Sequence, residues 1–221
     1  MHRHFDDDLE ALRGRVLHMG ILAEEMTQDA LALVVRRETG LLAAVRKMED
    51  EVNGLHIEID DRCIKLLVLH QPAAGDLRLI AAALKINSDL ERIGDQAVNI
   101  AETGTYLAQL PGIKLHDIPR MAELASGMLK DALESFASGD VDLARSVIRR
   151  DDEEDRLKSE TFNELVALMQ SDASTIQRAM DIILIARNLE RIADHATNIA
   201  EDVVFMVQGQ DIRHHAEDKN G

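Results

Sequence analysis

The chain has 221 residues with 25 Lys and Arg against 41 Asp and Glu, and its formal charge of −16 repels phosphate backbones. No basic block exceeds Arg36-Arg37 or Arg149-Arg150, which excludes direct nucleic-acid binding, and three Pro with 12 Gly are too few for an all-β chain needing a turn every ~8–12 residues. Aromatic residues are 2% and Trp is absent, so the 46% of hydrophobic residues must pack long helices around an aliphatic core.

From Asp6 to about Glu38, Leu9, Leu12, Val16, Met19, Ala23, Met26, Ala30 and Leu33 recur at alternating steps of three and four, the apolar stripe of one helix. At ~1.5 Å per residue it is about 45 Å long, which suits an extended bundle. After Thr39-Gly40 the stripe resumes as Val45, Met48, Val52, Leu55, Ile59, Cys63 and Leu66, a second helix that stops at Gln71-Pro72. Asp76 offers an N-cap for a third helix. Its stripe, Leu79, Ala83, Ile86, Leu90, Ile93, Ala97 and Ile100, runs towards Leu107, and Pro111-Gly112 closes the unit.

The unit then repeats. At an offset of 99, LERIGDQAVNIAE from Leu90 to Glu102 lies over LERIADHATNIAE from Leu189 to Glu201, with ten of thirteen positions identical. At an offset of 102, Met26, Asp29-Ala30-Leu31 and Leu41 lie over Met128, Asp131-Ala132-Leu133 and Leu143. A repeat of about 100 residues is long enough to bury its own core. The sequence therefore predicts an all-α fold of two tandem three-helix bundles with six long helices. Residues 1–112 form the first bundle, 113–208 the second, and 209–221 a flexible tail without apolar period.

On the third helix of each unit the carboxylates lie opposite the apolar stripe. For a single Glu or Asp of an acidic protein this is a solvated face. Here Glu91/Asp95 and Glu190/Asp194 each place two carboxylates one turn apart, a like-charge spacing that costs stability unless something positive offsets it. A second pair, Asp151/Asp155, sits on the middle helix, with Glu49 and Asn53 as its repeat partners. With the middle and third helices as antiparallel neighbours, the pairs converge on about four oxygen ligands per bundle for a hard cation. Asn53 removes one charge from the first site. Chance retention after a duplication is the competing explanation.

Other chemistry is sparse. No Gly-rich phosphate loop or Gly-x-Ser-x-Gly occurs, so the chain reads as no enzyme. No Glu-x-x-His occurs either, which argues against a ferritin-like di-iron centre. His18 and His70 read as surface or interface residues, His56 as a packing residue, and Cys63 as a small buried hydrophobe. His195 follows Asp194, but Gln96 holds that place in the first repeat. Gly54, Gly94 and Gly127 fall inside helical patterns, where close helix packing would account for them. One cysteine and no signal-like apolar stretch point to a reducing cytoplasm, and no apolar run nears the ~20 residues of a membrane span. No basic pocket is apparent, so any sensing of phosphate would run through a bound metal.

Gln71-Pro72-Ala73-Ala74-Gly75-Asp76-Leu77-Arg78, with the doubled Leu-Glu-Arg-Ile-x-Asp at 90–95 and 189–194, closely resembles the PhoU family of phosphate-transport regulators over nearly the whole chain. The resemblance implies a frequently dimeric cytoplasmic protein, peripheral to the inner membrane through its partners. Those partners are the ATPase subunit of a Pst-type phosphate ABC transporter and a PhoR-type sensor kinase, and the effect is repression of the phosphate-starvation response when phosphate is plentiful. It also implies surface metal, iron, manganese, zinc or magnesium, on Glu/Asp-x-x-x-Asp pairs. By position these are Glu91, Asp95, Glu190 and Asp194 with Asp151 and Asp155; Glu49-x-x-x-Asn53 departs from the acidic pattern. Two other readings stand beside it, a spectrin-like spacer and a phosphotransfer module using His18 or His70.

Overall fold

A computed structural model describes residues 2–110 and 114–213. The stripes become helices: α1 (His2–Arg36), α2 (Leu42–His70), α3 (Ala74–Leu107), α4 (Ile118–Ser138), α5 (Val141–Ile148), α6 (Asp151–Ser171) and α7 (Ile176–Gln208). Among the described residues there is no strand. Every stripe residue named for α1 and α3 is buried, and so is each one of α2 except the half-buried Met48. Pro111-Gly112 and the tail from His214 lie outside the described residues.

The helix ends follow local chemistry. Arg37 and Gln71 take left-handed φ angles of 58° and 47° just past α1 and α2, while Gly139 and Gly209 do so at 71° and 70° past α4 and α7. The Arg37 guanidinium donates to the carbonyls of Leu107 and Leu110, at 3.3 and 2.8 Å, supplying partners to the C-terminal end of α3. Asp76 does not cap α3. The helix starts earlier, at Ala74 behind an extended Ala73, so Asp76 falls in the first turn, where its charge complements the helix dipole.

Six long helices carry the architecture, with one refinement. The middle helix of the second repeat is interrupted at Arg149-Arg150, where the Arg150 amide bonds the Val147 carbonyl three residues back, leaving the eight-residue α5 ahead of α6. Asp140 caps α5 by accepting from the Leu143 amide at 3.0 Å. Arg150, at the start of α6, pairs with Asp131 of α4 at 2.6 Å. The break places Asp151 at a helix N-terminus instead of mid-helix.

The two units lie side by side. α3 and α7 run antiparallel and pack along much of their length: Arg78 donates to the Met206 carbonyl at 3.1 Å, Lys85 pairs with buried Asp202 at 2.7 Å, and Asp89 meets His195 at 2.8 Å. α1 packs on α3 and α4 on α7, while α1 and α4 also meet; α2 covers the first pair and α5–α6 the second. The buried side chains of both repeats form one continuous aliphatic core. An end-to-end spacer shares linking helices between units, and this lateral packing removes that reading.

Close packing explains different glycines from those singled out in the sequence. A Cβ on Gly54 would meet nothing within 4 Å, and one on Gly94 only ordinary contacts at 3.5 Å. The close approaches are at Gly20, whose Cβ would lie 2.4 Å from a Leu133 methyl, and at Gly104, 2.6 Å from a Val34 methyl. The two kinds of site give opposite expectations. Gly54→Ala should raise the urea midpoint, stabilising by ~0.5–1 kcal/mol. Gly104→Ala should lower it, costing about 1–3 kcal/mol through overpacking against a β-branched neighbour.

Candidate metal centre

The second repeat gathers its predicted ligands. Asp151 opens α6, and its carboxylate accepts from the Thr197 hydroxyl on α7 at 3.1 Å. Asp155 lies one turn further on, and Lys158 joins it to Glu190 of α7, at 3.2 and 2.5 Å. Asp194 is one turn beyond Glu190. Desolvation, followed by the charges of Glu190, Asp151 and Asp155, pushes Asp194 up to about 6. Asp151 is raised as well, chiefly by burial, with Asp155, Asp152 and Glu190 adding to it and the Thr197 hydrogen bond opposing it. Asp151, Asp155, Glu190 and Asp194 therefore share one electrostatic environment.

Two members of this cluster carried no signal in the residue pattern used above. Glu154, on the inner side of α6, is 1% exposed, and neither carboxylate oxygen has a hydrogen-bond partner among the described residues. Burial first, then the charges of Glu190, Asp151 and Asp155, pushes it up to about 8. Lys158 is the other: its ammonium is held between two of the carboxylates, and the bond to Glu190 raises it. The repeat alignment could have exposed Glu154, because its partner at an offset of 102 is Val52, a seam residue. Among the described residues no three acidic, His or Cys side chains already surround one ion position. Lys158 holds the place of positive charge.

The first repeat is looser. Burial, then Asp95, Asp50 and Glu102, raises Glu49, while Arg46 pairs with Glu102 at 2.7 Å. Asn53 is exposed and brings no charge, and Glu91 makes no ion pair among the described residues. Of the predicted four, the structure couples Glu49 with Asp95. Four acidic residues crowd the first turn of α6, where the helix dipole favours them, whereas α2 has none in its first turn.

Beside the second cluster, a cleft of about 620 Å³ opens over the α3–α7 crossing, lined by Arg92, Arg191 and Arg213 together with Asp151, Asp194 and Glu201. The three arginines face three carboxylates, so the cleft is of mixed charge and is no basic pocket. Arg92 and Arg191 are repeat equivalents far apart in the chain, brought together only by antiparallel packing. His195 bonds Asp89 and also lines this cleft beside Asp194. His18 stands 3.7 Å from Glu51, and His70 lies against the Phe5 ring. Cys63 is fully buried, and burial pushes its thiol up to about 12.

With this geometry in place, relatives become informative. A model of the PhoU domain matches twice, at residues 16–104 and 118–203, one match per repeat. The chain belongs to the PhoU family. A phosphate-specific transport system accessory protein PhoU homolog of Pseudomonas putida is 38% identical over 96% of this chain and 84% of its own length. The Pseudomonas aeruginosa homolog of that name is 39% identical over 96% of the chain and 88% of its own length. The fold matches the crystal structure of PhoU from Pseudomonas aeruginosa with a TM-score of 0.91 at 38% identity, covering 93% of this chain and all of the other. It matches the phosphate transport system regulatory protein PhoU from Streptococcus pneumoniae at 0.86, with 27% identity over 94% and 98% of the two chains. Among the described residues no helix is long and apolar enough to cross a membrane.

Proposed function

We propose that the chain is a regulator of phosphate uptake that works beside a phosphate-specific ABC transporter. It would meet the transporter's ATPase subunit and a PhoR-type sensor kinase as a cytoplasmic homodimer, and repress the starvation response when phosphate is plentiful. The observation that carries this reading is the match along both repeats to proteins named as accessories of that transport system, which leaves little of the chain for another role. Deleting the gene should switch on alkaline phosphatase or phosphate uptake in high-phosphate medium, and restoring it should switch them off. Unchanged expression on deletion would overturn the assignment.

The same reading includes a cation at the acidic pairs. Carboxylates are acceptor-only oxygen ligands suited to hard divalent ions. The chain's own residues support the fit in the second repeat, where four like charges converge and a buried carboxylate beside them has no hydrogen-bond partner among the described residues. Asp151, Asp155, Glu190 and Asp194 would hold the ion, which would neutralise their repulsion and fasten α6 to α7. In the first repeat Glu49, Asn53, Glu91 and Asp95 offer one charge fewer and make the weaker site.

A further inference from the structure

Among the described residues, Glu154 is buried with both carboxylate oxygens unsatisfied. On α6 it heads the buried series Glu154, Leu157, Thr161 and Leu165; the first repeat answers with Val52, Leu55, Ile59 and Cys63. Every other residue of the two series is apolar apart from Thr161. Val52 is 1% exposed, as Glu154 is, so the two occupy matching core positions. A carboxyl group placed where its repeat partner packs a methyl pair gives up hydration without receiving a hydrogen bond, a penalty of several kcal/mol for the charged form. Packing alone does not reward that exchange.

What surrounds Glu154 does. The charges of Glu190, Asp151 and Asp155 all act on it, and the ammonium of Lys158 bonds two of the group, Asp155 and Glu190. The acidic cluster by itself is no site, since a helix N-terminus attracts acids anyway. The independent observation is the buried carboxylate behind it, with both oxygens unsatisfied. We propose that Glu154 is a further ligand of a divalent cation at the α6–α7 junction, reaching the Asp151, Asp155, Glu190 and Asp194 cluster from its buried side. This rests on the cation reading above and extends it. The second site takes a fifth carboxylate, which the paired Glu/Asp-x-x-x-Asp pattern does not contain and the first repeat cannot supply. Lys158 then acts as the resident counter-charge that an arriving ion displaces.

The test is a Mn²⁺ titration of the full-length protein, followed by thermal unfolding and by the metal retained after gel filtration. Glu154→Val installs the residue the first repeat uses, so the variant is built to fold. Its apparent Mn²⁺ dissociation constant for the second site should weaken at least tenfold, and Glu154→Gln should weaken it too. Lys158→Gln should strengthen binding. Should Glu154→Val bind Mn²⁺ within twofold of the parent while Asp194→Asn does not, Glu154 is no ligand and the cation reading stands without it. A parent protein that neither binds nor responds to Mn²⁺ overturns both.

Discussion

Unfolding free energies measured in urea at pH 5, 6, 7 and 8 without added metal should fall as pH rises for the parent, and fall much less for Glu154→Val. The native carboxyl of Glu154 is pushed up to about 8 from an ordinary 4.5, whereas in the unfolded chain it returns to the ordinary value. Between those two values the native state keeps a proton that the unfolded state has released. Stability is therefore full below the unfolded value and declines as pH rises through the native one, with a slope of at most ~1.4 kcal/mol per pH unit. From pH 5 to pH 7 the loss is roughly 2–3 kcal/mol, and by pH 8 somewhat more. Glu154→Val removes that slope by deleting the group, at the cost of a small cavity worth about 1 kcal/mol. The variant should be the more stable protein at pH 8. Parallel pH profiles would show that Glu154 already has a partner in the apo protein.

Much of this molecule is legible in its sequence because its core obeys one rule. The stripe Leu9, Leu12, Val16, Met19 through Leu33 is buried without exception, since a period of 3.6 leaves a long aliphatic helix only one face to hide. The repeat of Leu-Glu-Arg-Ile-x-Asp likewise foretold two units of the same build. Three features were not legible, and each depends on how separate segments meet. The break ahead of Asp151 carries neither Pro nor Gly; Arg150 there reaches across to Asp131. The pairing of Arg92 with Arg191 across one cleft follows from antiparallel α3 and α7, which neither stripe encodes. Glu154 belongs to a charged run, Asp151-Asp152-Glu153-Glu154-Asp155, and its seam position separates it from neighbours that are half-buried or exposed.

Adding Mn²⁺ to the full-length protein should raise its melting temperature, and single carboxylate substitutions should divide that gain unequally between the repeats. A ligand that binds only the native state stabilises it by about 2.7 kcal/mol at a hundredfold excess over its dissociation constant, and continues to do so logarithmically. For a chain of this size that corresponds to roughly 5–10 °C. Asp194→Asn and Asp155→Asn each remove a charged ligand from the cluster shared by Asp151, Glu154 and Glu190, so each should abolish most of the gain. Asp95→Asn touches only the pair that Glu49 feels, a site already short of one charge at Asn53, so most of the gain should survive. Solvated acidic faces predict a different pattern. Without an ion, Asp194→Asn would relieve repulsion from Glu190 one turn away, leave the protein more stable by a few tenths of a kcal/mol, and change nothing on adding metal. A melting temperature indifferent to Mn²⁺, Mg²⁺, Zn²⁺ and Fe²⁺ in the parent would refute the metal centre, and the membership of the family, carried by both repeats, would be untouched by that result.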